Sequence, residues 1–466
     1  MAIELNSERG GGAALALGYK FLTRPGITER TVREISAAKG EPDWMLERRL
    51  KSFRIFQGKP IPTWGPDLSG LDLSAITYFA SLKGGEHRDW KDVPAEIKLQ
   101  FEKLGVPEAE RKFLSGSGAM VESQWVYKSV RKELEDAGVI FMSTDDAVQQ
   151  HPEIVKEYFM TKCVPPTDNK FAALHGAVWS GGAFVFIPEG VKVETPLQLY
   201  FLMNYRGYGQ FEHTLLIAEP HSQVSYLEAC SAPRYAESSL HSAVVEIFVK
   251  KRARVKYTSI QNWSDSVYNL NTKRSVVDEC GFMEWVGGSL GAKVSMLYPC
   301  SILRGRGARA DHIVISIAKD GTVKDGGAKV IHAAPGTTSN VVAKSICLGS
   351  GRAGYRGLLR VNKGCANCRA SVRCDALLLD SRARSATFPV MEINENKVAI
   401  VHEATVGRIS EDRLFYLMSR GLGENEAKAL IVRGFVEPLL NALPLEYAVE
   451  FSRYIEMEIE GPGAVG

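Results

Sequence analysis

The sequence predicts a mainly β protein, with a β-solenoid core held between two helical ends, and three observations carry that prediction. From about residue 170 to about residue 408, short runs of apolar/polar alternation follow one another, separated by Gly, Asn, Asp, Pro and Lys turns, with no convincing helical period between them. A loose self-similarity runs through the same block: HSQVSY (221–226), RARVKY (252–257) and GAKVSM (291–296) each place a polar turn before a Val-x-aromatic or Val-x-Met start. Helical spacing of apolar residues is confined to the two ends of the chain. The irregular period argues against a propeller of fixed blades. The length of the block favours a solenoid over a sandwich, because each coil of a solenoid buries its face by stacking on the next.

Residues 1–169 are expected to form a mostly helical N-terminal domain. Val32, Ile35, Met45, Leu46, Leu50 and Phe53, interrupted by Gly40-Glu41-Pro42, predict a helical hairpin over residues 28–55. Residues 56–90, rich in Pro, Gly and aromatics, read as an extended arm. Helices are predicted from Ala95 to Leu104 and from Val126 to Ala137, with short amphipathic stretches between Asp145 and Phe159. The core, 170–408, contains predicted strands such as Ala183–Ile187, Leu197–Met203, Phe211–Ala218, Gln223–Leu227, Val244–Val249, Val255–Ile260, His312–Ile317 and Ala376–Leu379.

Residues 409–466 turn helical again. Ser410 is placed to cap a first helix, with Glu411 and Asp412 in its first turn, Arg420 in its last and Gly421 after it, as the helix dipole prefers. A second is predicted from Glu424 to Val432, stopped at Gly434, and a third from about Leu445 to Met457. Leu414, Leu417, Ala427, Leu430 and Ile431 offer an apolar face to the protein's own core or to a partner.

At 466 residues, 45% apolar and 24% charged with a net charge of +3, the chain has an ordinary globular balance. Neither a nucleic-acid nor a membrane partner is expected from that balance. The first residues, MAIELNSERGGGAALALGYK, fit neither a secretory signal nor a spanning helix, which places the protein in the cytoplasm. Thiols there stay reduced, so Cys163, Cys230, Cys280, Cys300, Cys347, Cys365, Cys368 and Cys374 are expected free, ligating or reactive. No phosphate-cradling G-x-x-x-x-G-K-[ST] loop and no G-x-S-x-G elbow is present, so ATP binding by the chain itself is not expected.

Chemistry concentrates between Cys365 and Thr405, which holds three of the 8 cysteines and a His-Glu pair. Thiolates beside imidazole and carboxylate suit soft-metal ligation. In Ser371–Asp380, strand parity puts Val372, Cys374, Ala376 and Leu378 on one face, so Cys374 is expected to face inward. His402 and Glu403 fall on opposite faces of their strand. The separation of Cys374 and Glu403 is close to one coil, which suggests that Glu403 meets Cys374 and that His402 faces an interface. Cys365 and Cys368 form a C-x-x-C, half of a zinc or redox signal, and a structural zinc site on Cys365, Cys368 and Cys374 is one alternative. A β-helix hydrolase or lyase acting on polysaccharide is another, disfavoured by the thiol-rich site. Upstream, His241 shares its strand face with Ala243, Val245 and Ile247, where an imidazole is ordinarily a satisfied core residue; Cys230 has the same ambiguity.

Over nearly its whole length the chain resembles the SufB scaffold subunits of the SUF iron–sulfur cluster assembly system. The resemblance rests on EPDWMLERRLKSFRIF, GQFEHTLLIAE, YLEACSAP, YTSIQNW, YRGLLRV, RCDALLLD, TFPVMEI, HEATVGRISEDRLFYLMSRGL and VRGFVEPLL. The related SufD subunits have a similar core; the EPDWMLERRL block and the RCD cysteine favour SufB. The resemblance implies a right-handed parallel β-helix and a scaffold that is not itself an enzyme. It assigns Cys374 as the essential assembly cysteine, His402 and Glu403 to nascent cluster binding, and Cys230 to sulfur acceptance. It places Asn204, Glu212, His241 and Lys273 along a sulfur route between the two cysteines. Where some relatives carry arginine, two residues before Asn204, this chain has Leu202. The implied cargo is iron and a nascent iron–sulfur cluster, with flavin binding left open. The implied partners are a SufC ATPase on the C-terminal helices, a SufD-like subunit or a second copy on the β-helix, and a cysteine desulfurase with its sulfur carrier.

Overall fold

The computed structural model describes residues 18–87, 89–93, 95, 98, 114–232, 238–443, 448–449, 451–452, 455–456 and 459. Its core is a parallel β-solenoid of about 8 turns with helices at both ends. Two sheets form its walls. In the 10-stranded sheet, strands Leu197–Leu202, Gln223–Ser231, Arg254–Trp263, Phe282–Gly291, Arg309–Ala318, Thr338–Cys347, Cys368–Leu378 and Val398–Arg408 stack in chain order, all parallel. The 13-stranded sheet takes the other side of each coil.

Register in a parallel stack keeps one side of each strand inward from coil to coil, because the pleat alternates with period two. One inward column therefore runs Tyr226, Tyr257, Trp285, His312, Val341, Val372, His402. Its aromatic members pack ring on ring, Tyr226 and Tyr257 stacked with centroids 5.4 Å apart and Trp285 edge-to-face on Tyr257 at 5.0 Å. Val224, Val255, Met283 and Ala310, two positions earlier on successive strands, join the same core.

The helical hairpin is present as Glu29–Ala38 and Asp43–Gly58, the first closed by a Thr28/Thr31 capping box. Its second helix carries Arg49, which is 0% exposed and pairs with Glu41 at 2.6 Å while donating to the Ala177 and Trp179 carbonyls. The arm that follows buries Leu68, Leu71, Ile76, Tyr78 and Phe79 against these helices.

Several expectations are corrected. The stretch read as a helix from Val126 is a strand, Gln124–Val130, followed by a single helical turn, Lys132–Asp136. Tyr127 and Val126 pack with Tyr200 and Leu202 of the solenoid, so tertiary burial overrides the helical reading. Strands also begin before residue 170: Gly116–Val121 and Gln124–Val130 extend one sheet and Ile140–Ser143 the other. Conversely, Lys170–Val178, inside the block read as helix-free, is a helix capped by Asn169. Phe171 through Val178 are all buried, so it shows no polar face and no amphipathic period. The helix from Glu424 runs through Gly434 and Pro438 to Leu440 because Val432, Val436 and Leu439 pack on Val286, Leu290, Ile315 and Ile317 of the solenoid wall. The helices predicted at Ala95–Leu104 and Leu445–Met457 fall largely outside the described residues.

A buried carboxyl–imidazole pair braces the N-terminal helices on the solenoid. Glu246, on strand Val244–Val249, accepts the backbone N–H groups of Met160 (2.6 Å) and Val164 (2.7 Å) and lies 3.2 Å from His213 Nε2. Burial pushes the Glu246 carboxyl up to about 8 and His213 down to about 3, so at neutral pH the carboxyl keeps its proton and the imidazole is neutral. A carboxyl whose folded pKa is raised contributes stability that is full below its ordinary value of 4.5 and is lost as pH rises toward about 8. Urea midpoints are therefore expected to fall across that window, and Glu246→Gln, which cannot ionise, to flatten its share of the slope. A Glu246→Gln profile as steep as the parent's would contradict the assignment.

Candidate functional site

At the downstream end, the inward parity of strand Cys368–Leu378 holds: Cys374 is 5% exposed, and Arg369, Ser371 and Arg373 alternate outward. Its Sγ lies 3.7 Å from His402 Nε2 and 3.6 Å from the Glu403 carbonyl oxygen. Burial, then Asp375, pushes the thiol up to about 11, so the side chain is a thiol at neutral pH until a cation or partner stabilises the thiolate.

The pairing of Cys374 with the Glu403 side chain is corrected. In register Cys374 sits on Ala404, Val372 on His402 and Arg373 on Glu403. His402, half-buried with Val398 and Ile400, thus shares the inward side with Cys374, while Glu403 is exposed on the outer face beside Val401. Parity within each strand was right; the residues spent in the turn between them decide which side faces in. Cys365 and Cys368 pack with Val361, Val398 and Ile400, and Cys368 Sγ contacts Thr337 Oγ1 at 3.1 Å and the Ala334 carbonyl at 3.4 Å. Among the described residues they do not gather with Cys374 into a set of ligand atoms.

At the upstream end the structure brings together three residues from separate elements. Cys230 comes from strand Gln223–Ser231, His241 from Ser239–His241, and Glu212 immediately precedes His213–Ala218. One potential ligand atom from each lies within 4.8 Å of the others, and all three are buried. His241 Nε2 contacts Glu212 Oε1, and Nδ1 contacts Asn269 Oδ1 at 2.7 Å. Burial, with Glu228 and Glu212 nearby, raises the Cys230 thiol well above its ordinary range. Asn204 is buried as well, its backbone N–H donating to Glu122 Oε1 at 2.9 Å.

Lys273 reaches in from strand Val267–Val277 to pair with Glu228, and donates to Ser259 Oγ at 2.9 Å. Glu228 also accepts from Ser259 (2.6 Å) and Tyr257. Burial raises the Glu228 carboxyl, but Lys273 and these hydroxyls more than offset it, leaving it below its ordinary range. Leu202 packs with Val121, Tyr127 and Tyr200, on the opposite face of its strand from the interior residue Phe201.

Two inward columns join the ends. One stacks Glu228, Ser259, Gly287, Val314, Ala343 and Cys374; the other stacks Cys230, Gln261, Ser289, Ser316, Ser345 and Ala376. Short and hydroxylated side chains fill less of the bore than the aromatic column beside them. One cavity is lined by Tyr257, Ser259, Gln261, Lys273 and Val314, and a second by Val314, Ser316, Ala343, Tyr355 and Cys374. Val314 lines both. Glu228, Tyr257, Ser259, Gln261 and Asn269 escaped the sequence reading; their signal was polar residues at inward positions of otherwise apolar strands.

The site thus sets buried thiols at two levels of one parallel solenoid, Cys230 upstream and Cys374 downstream. The chain matches the family profile "SUF system FeS cluster assembly, SufBD core domain" over residues 201–435 and "SufBD protein N-terminal region" over residues 98–199. It is 50% identical over 441 residues, 95% of each chain, to iron-sulfur cluster assembly SufBD family proteins of Staphylococcus saprophyticus, Staphylococcus aureus and Staphylococcus haemolyticus. The chain belongs to the SufBD family of iron–sulfur cluster assembly proteins. Among the described residues no helix is long and apolar enough to cross a membrane.

Proposed function

We propose that this chain is the SufB-type scaffold of its SUF system, taking up persulfide sulfur at Cys230 and assembling it with iron at Cys374 for transfer to apo-proteins. The observation that supports the reading is a pair of cavities that share Val314 in their linings, one also lined by Lys273, which pairs with Glu228, and the other by Cys374. In the uptake step the Cys230 thiolate attacks the terminal sulfur of a donor persulfide and the donor leaves as its thiol. Glu212, His241, Lys273 and Asn204 line this end and supply proton acceptors and a positive charge for the anionic sulfur. At the other end Cys374 and His402 offer S and N donors to iron, the cargo. Glu403, on the outer face, is available to iron or to a partner bound across the last coil.

That last coil suits a SufD-like subunit or a second copy: Phe388, Val390, Val401 and Val406 are 46%, 48%, 62% and 52% exposed. The C-terminal helices suit a SufC ATPase, with Phe415 74% and Tyr416 56% exposed. A desulfurase and its carrier complete the set in the cytoplasm.

Incubating the chain with a cysteine desulfurase, its carrier and cysteine, then mapping persulfides by mass spectrometry, tests the route. The expected result is sulfur on both Cys230 and Cys374 in the parent and on neither position in Cys230→Ser. Full labelling of Cys374 in Cys230→Ser would overturn it.

A further inference from the structure

The buried trio Glu212, Cys230 and His241 has features that a sulfur route alone does not explain. Its members are 2%, 3% and 0% exposed, and Glu212 Oε2 is buried without a hydrogen-bond partner. An unpartnered carboxylate oxygen beside a buried thiol is costly unless a cation satisfies it.

The proton on His241 can be placed from its neighbours. Trp263 Nε1 can only donate, so the Gln261 atom that it faces, at 3.4 Å, is the oxygen. That oxygen also accepts from Asn269 Nδ2 at 2.5 Å, so Asn269 turns Oδ1 toward His241. Nδ1 of His241 therefore carries hydrogen and donates it, and Nε2 is directed at Glu212. A ligating histidine whose second nitrogen donates to a carbonyl oxygen is the usual outer-shell arrangement of protein metal sites.

We infer that Glu212, Cys230 and His241 form a binding site for a thiophilic divalent first-row cation of the zinc(II) or iron(II) class. Sulfur, nitrogen and oxygen donors from three side chains match such borderline ions, and three protein ligands leave coordination to be completed from outside, as in exchangeable sites. One dication balances one carboxylate and one thiolate, so the filled site is neutral in its low-dielectric surroundings. Binding releases the Cys230 proton and the proton shared between His241 Nε2 and Glu212 Oε1, and holds the sulfur as thiolate. The inference is independent of the sulfur route: persulfide mapping and metal binding fail or succeed separately.

Anaerobic titration of the reduced full chain with cobalt(II), a coloured probe for such sites, tests it. With Cys374→Ser as background, which removes the thiol proposed for iron at the other end, a near-ultraviolet thiolate-to-cobalt charge-transfer band is expected, and it is lost when Cys230→Ser is added. Asn269→Ala, which removes the acceptor of His241 Nδ1 together with a donor to Gln261 Oε1, is expected to weaken binding about 10–100-fold. Glu212→Gln, of the same shape, gives a second ligand variant whose far-ultraviolet circular dichroism reports folding. Survival of the band in the Cys230→Ser/Cys374→Ser double variant, or its absence from the folded Cys374→Ser protein, would each overturn the site.

Discussion

Replacing Lys273 by Met is expected to destabilise the protein by roughly 3–5 kcal/mol, the cost of leaving a buried charge without its partner. Lys273 and Glu228 have side chains 8% and 3% exposed. Ser259 and Tyr257 remain to hydrogen-bond the carboxylate in the variant, but neither carries the positive charge that balances it. With Lys273 gone, burial acts on Glu228 with weaker opposition and raises it, so the variant's loss grows as pH rises above the ordinary carboxylate value of 4.5. Against a net stability of about 5–15 kcal/mol for a folded domain, so large a loss shows directly as an earlier urea transition. Adding Glu228→Gln removes the orphaned charge and is expected to restore most of it. A Lys273→Met protein as stable as the parent at neutral pH would show that the pair is solvated and that the interior at this level is wet.

How far this site was legible can be judged from its own residues. Alternation in Ser371–Asp380 was enough to turn Cys374 inward, because pleat parity is a local property of the backbone. It was not enough to choose between His402 and Glu403. That choice depends on how many residues the turn between two coils consumes, and turns carry no periodic signal. The same limit hid the upstream trio: Cys230, Glu212 and His241 come from three separate segments whose juxtaposition is a product of coil length. His241, on a face shared with Ala243 and Val245, looked like a satisfied core residue, and its contacts with Glu212 and Asn269 come from the coils on either side. The helix Lys170–Val178 was missed for another reason: it is buried on all sides and shows no amphipathic face. The roles of Cys230 and Cys374 came from family resemblance, since alternation cannot distinguish a reactive thiol from a small core side chain.

Cys374→Ala is expected to abolish cluster formation while leaving the fold intact. The residue sits near the open end of the bore, where the two outermost strands are largely exposed, and loses a single sulfur atom from a wall that already carries Ala376 and Ala404 beside it. Its contribution is chemical: with His402 Nε2 at 3.7 Å it forms the donor pair at this end of the cavities. His402→Ala is accordingly expected to impair assembly strongly. Glu403→Gln, with its side chain on the outer face, is expected to act only when a partner covers that face. The most direct measurement is Mössbauer and visible absorption spectroscopy of complexes assembled anaerobically from iron, a persulfide donor, partner subunits and either parent or Cys374→Ala chain. The account predicts an oxygen-sensitive iron–sulfur signal from the parent and none from Cys374→Ala; an undiminished cluster signal from Cys374→Ala would contradict it.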